Sequence, residues 1–314
     1  MKNFEGAVDQ LIERIEPDGY EFNKTARSLA TIALHDVELR YGENSDAPLP
    51  QHNAEHALDV AGRAIDLTNL IYEFIPEKYQ DKIYELALLI GVSHDWEQLL
   101  GNGLNETASA EYLIELIEKS NDKEINNDWF KGRAYRGVMA TEFEIDEEGI
   151  INQVNLGRGE PEPDEVPDPL EFIIAFADIN GIAMEGEGRM SDDVARLFIE
   201  KCQQEDKKPT EEGLKGFVNY QPKFIKSQLD DERMKPIIAH YFSHLEPANQ
   251  EKNNPVYKAM RKKYNPNIRK AYKKAWRLHN KPELLKGMGG LVESADVLGL
   301  SSKLGDIIKR INTK

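Results

Sequence analysis

Two histidines and a His-Asp pair are the residues of this sequence best suited to bind a metal ion. His52 and His56 are four residues apart in a segment predicted as a helix over 52–75, so both rings are expected on one helix face. His94 and Asp95 then supply an imidazole and a carboxylate at adjacent positions. These are the ligand types that a divalent metal ion of borderline character takes in proteins.

A second carboxylate lies further along the chain. Asp178 interrupts an apolar run that the sequence predicts as a helix over 169–184. Asp168 is the expected N-cap of this helix, and Pro169 suits its first position. Burying two histidines and two carboxylates without a metal would cost several kcal/mol. Ligand-type residues spread over separate apolar helices therefore indicate a metal centre inside a helix bundle.

The segments that position these residues are all predicted to be helical. Apolar residues recur at three- and four-residue spacing, with proline and glycine between the segments. An alternating pattern typical of a strand occurs at 150–156. The sequence thus predicts an all-α bundle with a carboxy-terminal helical extension. The predicted helices cover 5–17, 22–41, 52–75, 80–99, 106–119, 127–142, 169–184, 191–204, 211–228, 231–245, 255–279, 283–296 and 302–311.

Composition narrows the classes of protein and partner. The formal net charge of −16 disfavours nucleic acid as a partner, because phosphates would meet a repulsive field. Cys202 is the single cysteine, which excludes an internal disulfide. The amino-terminal residues lack the apolar stretch of a signal peptide, and no apolar run is long enough to cross a membrane. These features predict a cytoplasmic protein with no membrane association.

The charge is unevenly distributed along the chain. Residues 141–169 contain ten Asp or Glu and one Arg, a local balance of −9. Residues 251–280 contain ten Lys or Arg and one Glu, a local balance of +9. We interpret the acidic segment as a solvated insertion or partner surface rather than a lid, because it would repel an anionic substrate. For the basic segment, packing on the acidic body is favoured over binding a polyphosphate strand.

These features predict two domains. The first covers 1–250. Its residues 50–185 contain the candidate ligand motifs, and the acidic insertion lies at about 143–168. The second, 251–314, is a basic helical extension packed on the first.

The order of the ligand motifs resembles that of the HD-domain superfamily of metal-dependent phosphohydrolases, over roughly residues 50–185. Within it, the run His52-Asn53-Ala54-Glu55-His56-Ala57 is most similar to the cyclic-nucleotide phosphodiesterase group. Two other segments are similar to motifs of that group, namely Met139-Ala140-Thr141-Glu142 and Ala177-Asp178-Ile179-Asn180.

The resemblance implies roles for particular residues. It implies a Zn, Fe or Mn ion on the ligands His56, His94, Asp95 and Asp178. Asp95 has two oxygens, so it could also reach a second Mg or Mn ion. His52 would be the general acid that protonates the leaving oxygen. Asn53 and Glu142 would lie next to the ligands and help to orient them.

The resemblance also implies the substrate class. The implied enzyme is a hydrolase that uses a metal-activated water to cleave a phosphate ester. The implied substrate is a small nucleotide-type molecule, with a 3′,5′-cyclic nucleotide as one candidate. A nucleotidase, a nucleoside triphosphate phosphohydrolase and a nucleotide-binding sensor without turnover stay open as alternatives, as does a homo-oligomer. No histidine lies between Asp95 and Asp178, which disfavours the related di-iron oxygenases.

Two other histidine patterns are interpreted as structural. His35-Asp36 repeats the His-Asp dipeptide, but no histidine precedes it to act as the first ligand. His240 and His244 are four residues apart without a matching carboxylate pattern. Both sets are therefore left outside the predicted centre.

Overall fold

The computed structural model describes residues 2–17, 19–101, 103–145, 151–153, 168–179, 196–202, 204–205, 207 and 240–241. Helices dominate these residues, which confirms the predicted all-α class. None of these helices has the length and apolar character needed to cross a membrane. The bounds are α1 (Phe4–Ile12), α2 (Lys24–Tyr41), α3 (Ala54–Ile71), α4 (Glu77–Gln80), α5 (Ile83–Ser93), α6 (Leu104–Glu118), α7 (Asp128–Met139) and α8 (Leu170–Ile179).

Strand structure in the described residues is limited to one short antiparallel pair inside the predicted acidic insertion. Strand β1 (Phe143–Ile145) pairs with β2 (Ile151–Gln153), and Phe143 lies opposite Gln153. Of the alternating pattern seen in the sequence at 150–156, the part that the structure describes, Ile151–Gln153, is a strand.

The described residues fall into two compact units. The first contains those before Leu49, those from His52 to Ile179, and 240–241. The second contains Leu49–Gln51 and the described residues between 196 and 207, of which 196–202 are helical. The predicted boundary at 250, the extension 251–314, His244 and most of the predicted helices beyond 204 lie outside the described residues.

Helix α5 is the centre of the first unit. Every residue from Ile83 to Ser93 is buried, and the helix packs against α2, α3, α6, α7 and α8. Its sequence is apolar on nearly all sides, which is what a helix surrounded by other helices requires. The exception is Glu85, whose carboxylate accepts hydrogen bonds from the Tyr20 hydroxyl and the Asn23 N–H. Because α3 and α8 also pack together, the elements with the predicted ligands meet in one core.

Close approach of α5 to α3 depends on a glycine. A Cβ atom at Gly91 would lie 2.5 Å from the Cα atom of Ala61 on α3. We expect Gly91→Ala to force the two backbones apart and to lower the free energy of unfolding by about 1–3 kcal/mol, as for other overpacked cores. Urea unfolding measures this change.

A matched control is available on α7. At Gly132 the nearest atom to an added Cβ is a side-chain nitrogen of Arg136, 3.6 Å away. Gly132→Ala is therefore expected to leave stability unchanged or to raise it by about 1 kcal/mol through helix propensity. Equal unfolding midpoints for the two variants would contradict the close-approach interpretation.

Several helix ends differ from the predicted ones; α1, for example, ends at Ile12 rather than 17, and the differences in α3, α5 and α6 bear on the site. Helix α3 begins at Ala54 instead of 52, because the Asn53 side chain caps it by accepting a hydrogen bond from the Glu55 N–H at 2.9 Å. His52 therefore lies before the helix, and the prediction of two rings on one helix face is wrong. Helix α6 is capped at Gly103, whose φ is +77°, and the predicted cap Asn105 instead accepts hydrogen bonds from the loop.

The most consequential difference is the end of α5 at Ser93 rather than 99. The Glu97 carboxylate accepts hydrogen bonds from the N–H groups of Gln98 and Leu99, both at 2.9 Å. This turn follows the end of the helix, so the predicted ligands His94 and Asp95 lie directly after the carboxy-terminal end of α5.

Helix α8 begins at Leu170, one residue after the predicted start, and the predicted capping side chain is in place. Asp168 accepts a hydrogen bond from the Leu170 N–H at 3.1 Å, so it is the N-cap. Its carboxylate also receives two hydrogen bonds from the buried Arg133 on α7, at 2.7 and 2.8 Å. The amino-terminal end of α8 is therefore anchored to α7.

Candidate metal centre

Helices α3, α5 and α8 bring the four predicted ligands together. The ligand atoms of His56, His94, Asp95 and Asp178 all lie within 4.8 Å of one another. His56 Nε2 is 3.2 Å from Asp95 Oδ2 and 3.3 Å from Asp178 Oδ1. His94 Nε2 is 3.0 Å from Asp95 Oδ2 and 3.4 Å from Asp178 Oδ1. Two imidazole nitrogens thus face two carboxylate oxygens.

The orientation of His94 is fixed by its own helix. Its Nδ1 atom lies 2.9 Å from the carbonyl oxygen of Gly91. Because a carbonyl only accepts, Nδ1 carries the proton, and in the neutral ring the Nε2 lone pair points to the carboxylates. Metal-bound histidines commonly use their second nitrogen in this way.

Two buried atoms at this centre lack hydrogen bonds. His94 Nε2 and Asp95 Oδ2 form none with any part of the chain that the structure describes. Leaving such groups unsatisfied is costly, and a cation shared between them would satisfy both lone pairs. Two imidazole nitrogens and two carboxylate oxygens also match the donor sets of divalent metal sites. The residues therefore fit a divalent metal ion.

Without a bound ion, the centre pairs an imidazolium on His94 with two carboxylates. Burial by itself lowers the pKa of His94, but the charges of Asp95 and Asp178 outweigh it and raise that pKa well above its usual value, so a divalent ion would take the place of the Nε2 proton. Burial by itself raises the pKa of Asp95, but the neighbouring imidazoles of His94 and His52 outweigh it and hold that pKa well below the usual range. Burial likewise raises the pKa of Asp178, but the positive charge of His94 outweighs burial, so this pKa also lies below its usual range. Both carboxylates are therefore ionised at neutral pH and available as ligands.

Asp95 is held from behind by residues that sequence reasoning missed. Its second oxygen, Oδ1, accepts a hydrogen bond from the Gln98 amide at 2.7 Å. The Gln98 backbone is fixed in turn, because its N–H donates to Glu97 and to the Tyr41 hydroxyl, at 2.9 and 3.0 Å. Glu97 is buried and paired with Arg40. No periodicity reveals this network, because its members lie on separate segments.

Trp96, next to Asp95, does not offer a free ring face to a substrate. The guanidinium carbon of Arg40 lies 4.1 Å from the ring centre, and Tyr112 stacks on the ring at 4.2 Å with an interplanar angle of 5°. Tyr112 also donates a hydrogen bond to Asp36 at 2.7 Å. That contact, together with the packing of His35 on Phe4 at 5.0 Å, agrees with the structural interpretation of the His35-Asp36 pair.

His52 lies at the solvent edge of the centre. Its Nε2 atom is 4.0 Å from Asp95 Oδ2, and its ring centre is 5.5 Å from that of His56. The His52 side chain is 23% exposed, against 7% for His56 and 0% for His94. The structure thus places His52 beside the four converging ligands, on the side that solvent reaches.

Asn53 and Glu142 were predicted to support the ligands. Asn53 uses its side-chain oxygen to cap α3, which fixes the helix start at Ala54, two residues before His56. The Glu142 carboxylate lies beside Gly103, 2.9 Å from where a Cβ would stand. Burial, with the charges of Asp95 and Glu142, raises the pKa of the neighbouring Glu106. Contact of Asn53 or Glu142 with the ligands stays a prediction.

Comparison of the chain with known protein families, with curated proteins and with solved structures returned no match. A functional assignment therefore depends on the side-chain geometry of the cluster and on the order of the motifs along the chain.

Proposed function

We propose that this chain is a metal-dependent phosphohydrolase of the HD-domain type. The observation that carries the proposal is the convergence of His56, His94, Asp95 and Asp178, whose ligand atoms lie within 4.8 Å of one another. The order of the motifs along the sequence supports the same function. A phosphate ester of a small nucleotide-type molecule is the proposed substrate, and a 3′,5′-cyclic nucleotide is one candidate.

The four side chains would hold one Zn, Fe or Mn ion. Such an ion lowers the pKa of water and polarises a phosphoryl oxygen, which is the chemistry that ester hydrolysis needs. Asp95 and Asp178 supply two negative charges, and the imidazoles supply neutral donors. A second Mg or Mn ion through Asp95 would have to share Oδ1 with the Gln98 amide, 2.7 Å away.

His52 would act as general acid. Its solvent-facing position, 4.0 Å from Asp95 Oδ2, leaves it next to a substrate that enters from that side. Protonation of the leaving oxygen by a positioned imidazole speeds such reactions by about 10²- to 10⁴-fold. The negative net charge of the chain favours a small-molecule substrate over nucleic acid, and a cytoplasmic location is proposed with it.

The test is metal analysis followed by a substrate screen. We expect about one divalent ion per chain by mass spectrometry. We also expect hydrolysis to stop after chelation and to return with Zn, Fe(II) or Mn. The panel should contain 4-nitrophenyl phosphate, bis(4-nitrophenyl) phosphate, 3′,5′-cyclic nucleotides, nucleoside monophosphates and nucleoside triphosphates.

Each class of rival has its own outcome in this screen. Turnover of monophosphates or triphosphates alone would assign a nucleotidase or triphosphate phosphohydrolase to the same centre. Tight nucleotide binding without product would favour a sensor. Absence of bound metal after reconstitution, or turnover that is indifferent to chelation, would contradict the proposal.

A further inference from the structure

Arg63 is a buried cation that no step of the proposed chemistry uses. It lies on α3 and is 5% exposed. Arg63 is seven positions after His56, so the two side chains lie on nearly the same face of the helix, about two turns apart. An arginine is buried at a cost unless its donors are used, so its contacts should explain its position.

One of those contacts reaches the metal-ligand helix α8. Arg63 Nε donates a hydrogen bond to the carbonyl oxygen of Ala177 at 2.6 Å. That carbonyl belongs to the peptide group whose nitrogen is that of Asp178. Because a peptide group is planar, holding the oxygen also holds the nitrogen and Cα atom of the next residue. The Arg63 hydrogen bond therefore restrains the backbone at Asp178.

We propose that Arg63 is a positioning residue for Asp178. It joins the helix that carries His56 to the peptide group that carries the opposing carboxylate, and so sets the gap across which the two side chains face each other. In that gap, His56 Nε2 and Asp178 Oδ1 are 3.3 Å apart. The inference rests on the proposed metal centre, because positioning matters only if the ligands hold an ion.

Positioning and charge predict opposite effects on metal binding. If Arg63 acted only as a nearby positive charge, removing it would strengthen the binding of a divalent cation. If it positions Asp178, removing it lets the carboxylate move away from the other ligands, and binding weakens. Loss of an outer hydrogen-bonding partner typically costs 10- to 100-fold in metal affinity.

The experiment titrates the metal-free protein with Co²⁺ and records visible absorption, which depends on ligand geometry. We expect Arg63→Met to bind Co²⁺ about 10- to 100-fold more weakly, with a shifted spectrum. Arg63→Gln retains an N–H donor without the charge, so its affinity should fall between those of wild type and Arg63→Met. Leu67→Ala, a buried apolar truncation on the same helix, controls for lost stability and should keep the wild-type spectrum.

The outcomes separate this inference from the proposed function. Co²⁺ binding by Arg63→Met at wild-type or greater strength, with an unshifted spectrum, overturns the positioning role and leaves the metal centre standing. If circular dichroism shows Arg63→Met to be unfolded, the same criterion applies to Arg63→Gln. Failure of the wild-type protein to bind Co²⁺ at all overturns the metal centre, and the role of Arg63 with it.

Discussion

Asp95→Ala is expected to abolish metal binding and phosphohydrolase activity together. Asp95 Oδ2 is the one atom that lies within 3.2 Å of both His56 Nε2 and His94 Nε2 in the described cluster. Its removal takes away a donor and one of two negative charges. We expect metal affinity to fall by more than about 100-fold. That is the upper end of the loss seen when a residue that hydrogen-bonds to a ligand is removed, and here a ligand itself is lost. Metal analysis and turnover of the best substrate in the panel measure both effects.

The chain supplies its own control for this variant. Asp36 follows a histidine in the same dipeptide order, yet its carboxylate accepts a hydrogen bond from Tyr112 at 2.7 Å and lies outside the four-residue cluster. Asp36→Ala should keep metal and activity and lose only about 1 kcal/mol of stability with that hydrogen bond. Activity of Asp95→Ala equal to that of Asp36→Ala would rule out the proposed centre.

His52→Ala is expected to lower turnover about 10²- to 10⁴-fold while the metal stays bound. The expected loss depends on the leaving group. A nucleoside or alkyl oxygen needs a proton to leave, whereas 4-nitrophenolate leaves readily without one. The variant should therefore fail on nucleotide esters and retain most of its activity on 4-nitrophenyl esters. Comparison of kcat on the two ester classes, beside metal content, measures the effect.

Two results would assign His52 another role. Loss of metal in His52→Ala would make the side chain a ligand, despite its 4.0 Å separation from Asp95 and its exposed position. An equal fall in kcat on both ester classes would mean that it shapes the centre without donating a proton. His35→Ala is the matched control, because that ring packs on Phe4 away from the cluster.

The fold class followed from local properties of the sequence. Burial of α5 on all sides follows from its apolar residues between Ile83 and Val92, a run interrupted by Glu85 and Gly91, and the start of α8 follows from Asp168 and Pro169. Apolar periodicity and helix capping involve residues only a few positions apart, so they can be predicted without the tertiary structure. Helix ends were less accurate, because periodicity shows that a segment is helical without showing which polar group ends it.

His52 illustrates that limit. Four-residue spacing predicted two rings on one helix face, yet Asn53 takes the cap position and His52 lies outside the helix. The rings still meet, with centres 5.5 Å apart. Their proximity therefore depends on the path of the chain before α3 rather than on helix geometry.

The sequence by itself determined the helical class and the residue types offered as ligands, because periodicity and donor chemistry are properties of neighbouring residues. Only the tertiary structure decided how those ligands are held. The Gln98 amide on Asp95 depends on a turn secured by Tyr41, 57 residues away in the sequence, and the Arg63 contact with Ala177 spans 114 residues. Contacts across such separations exist only after the helices have packed, so no local pattern encodes them.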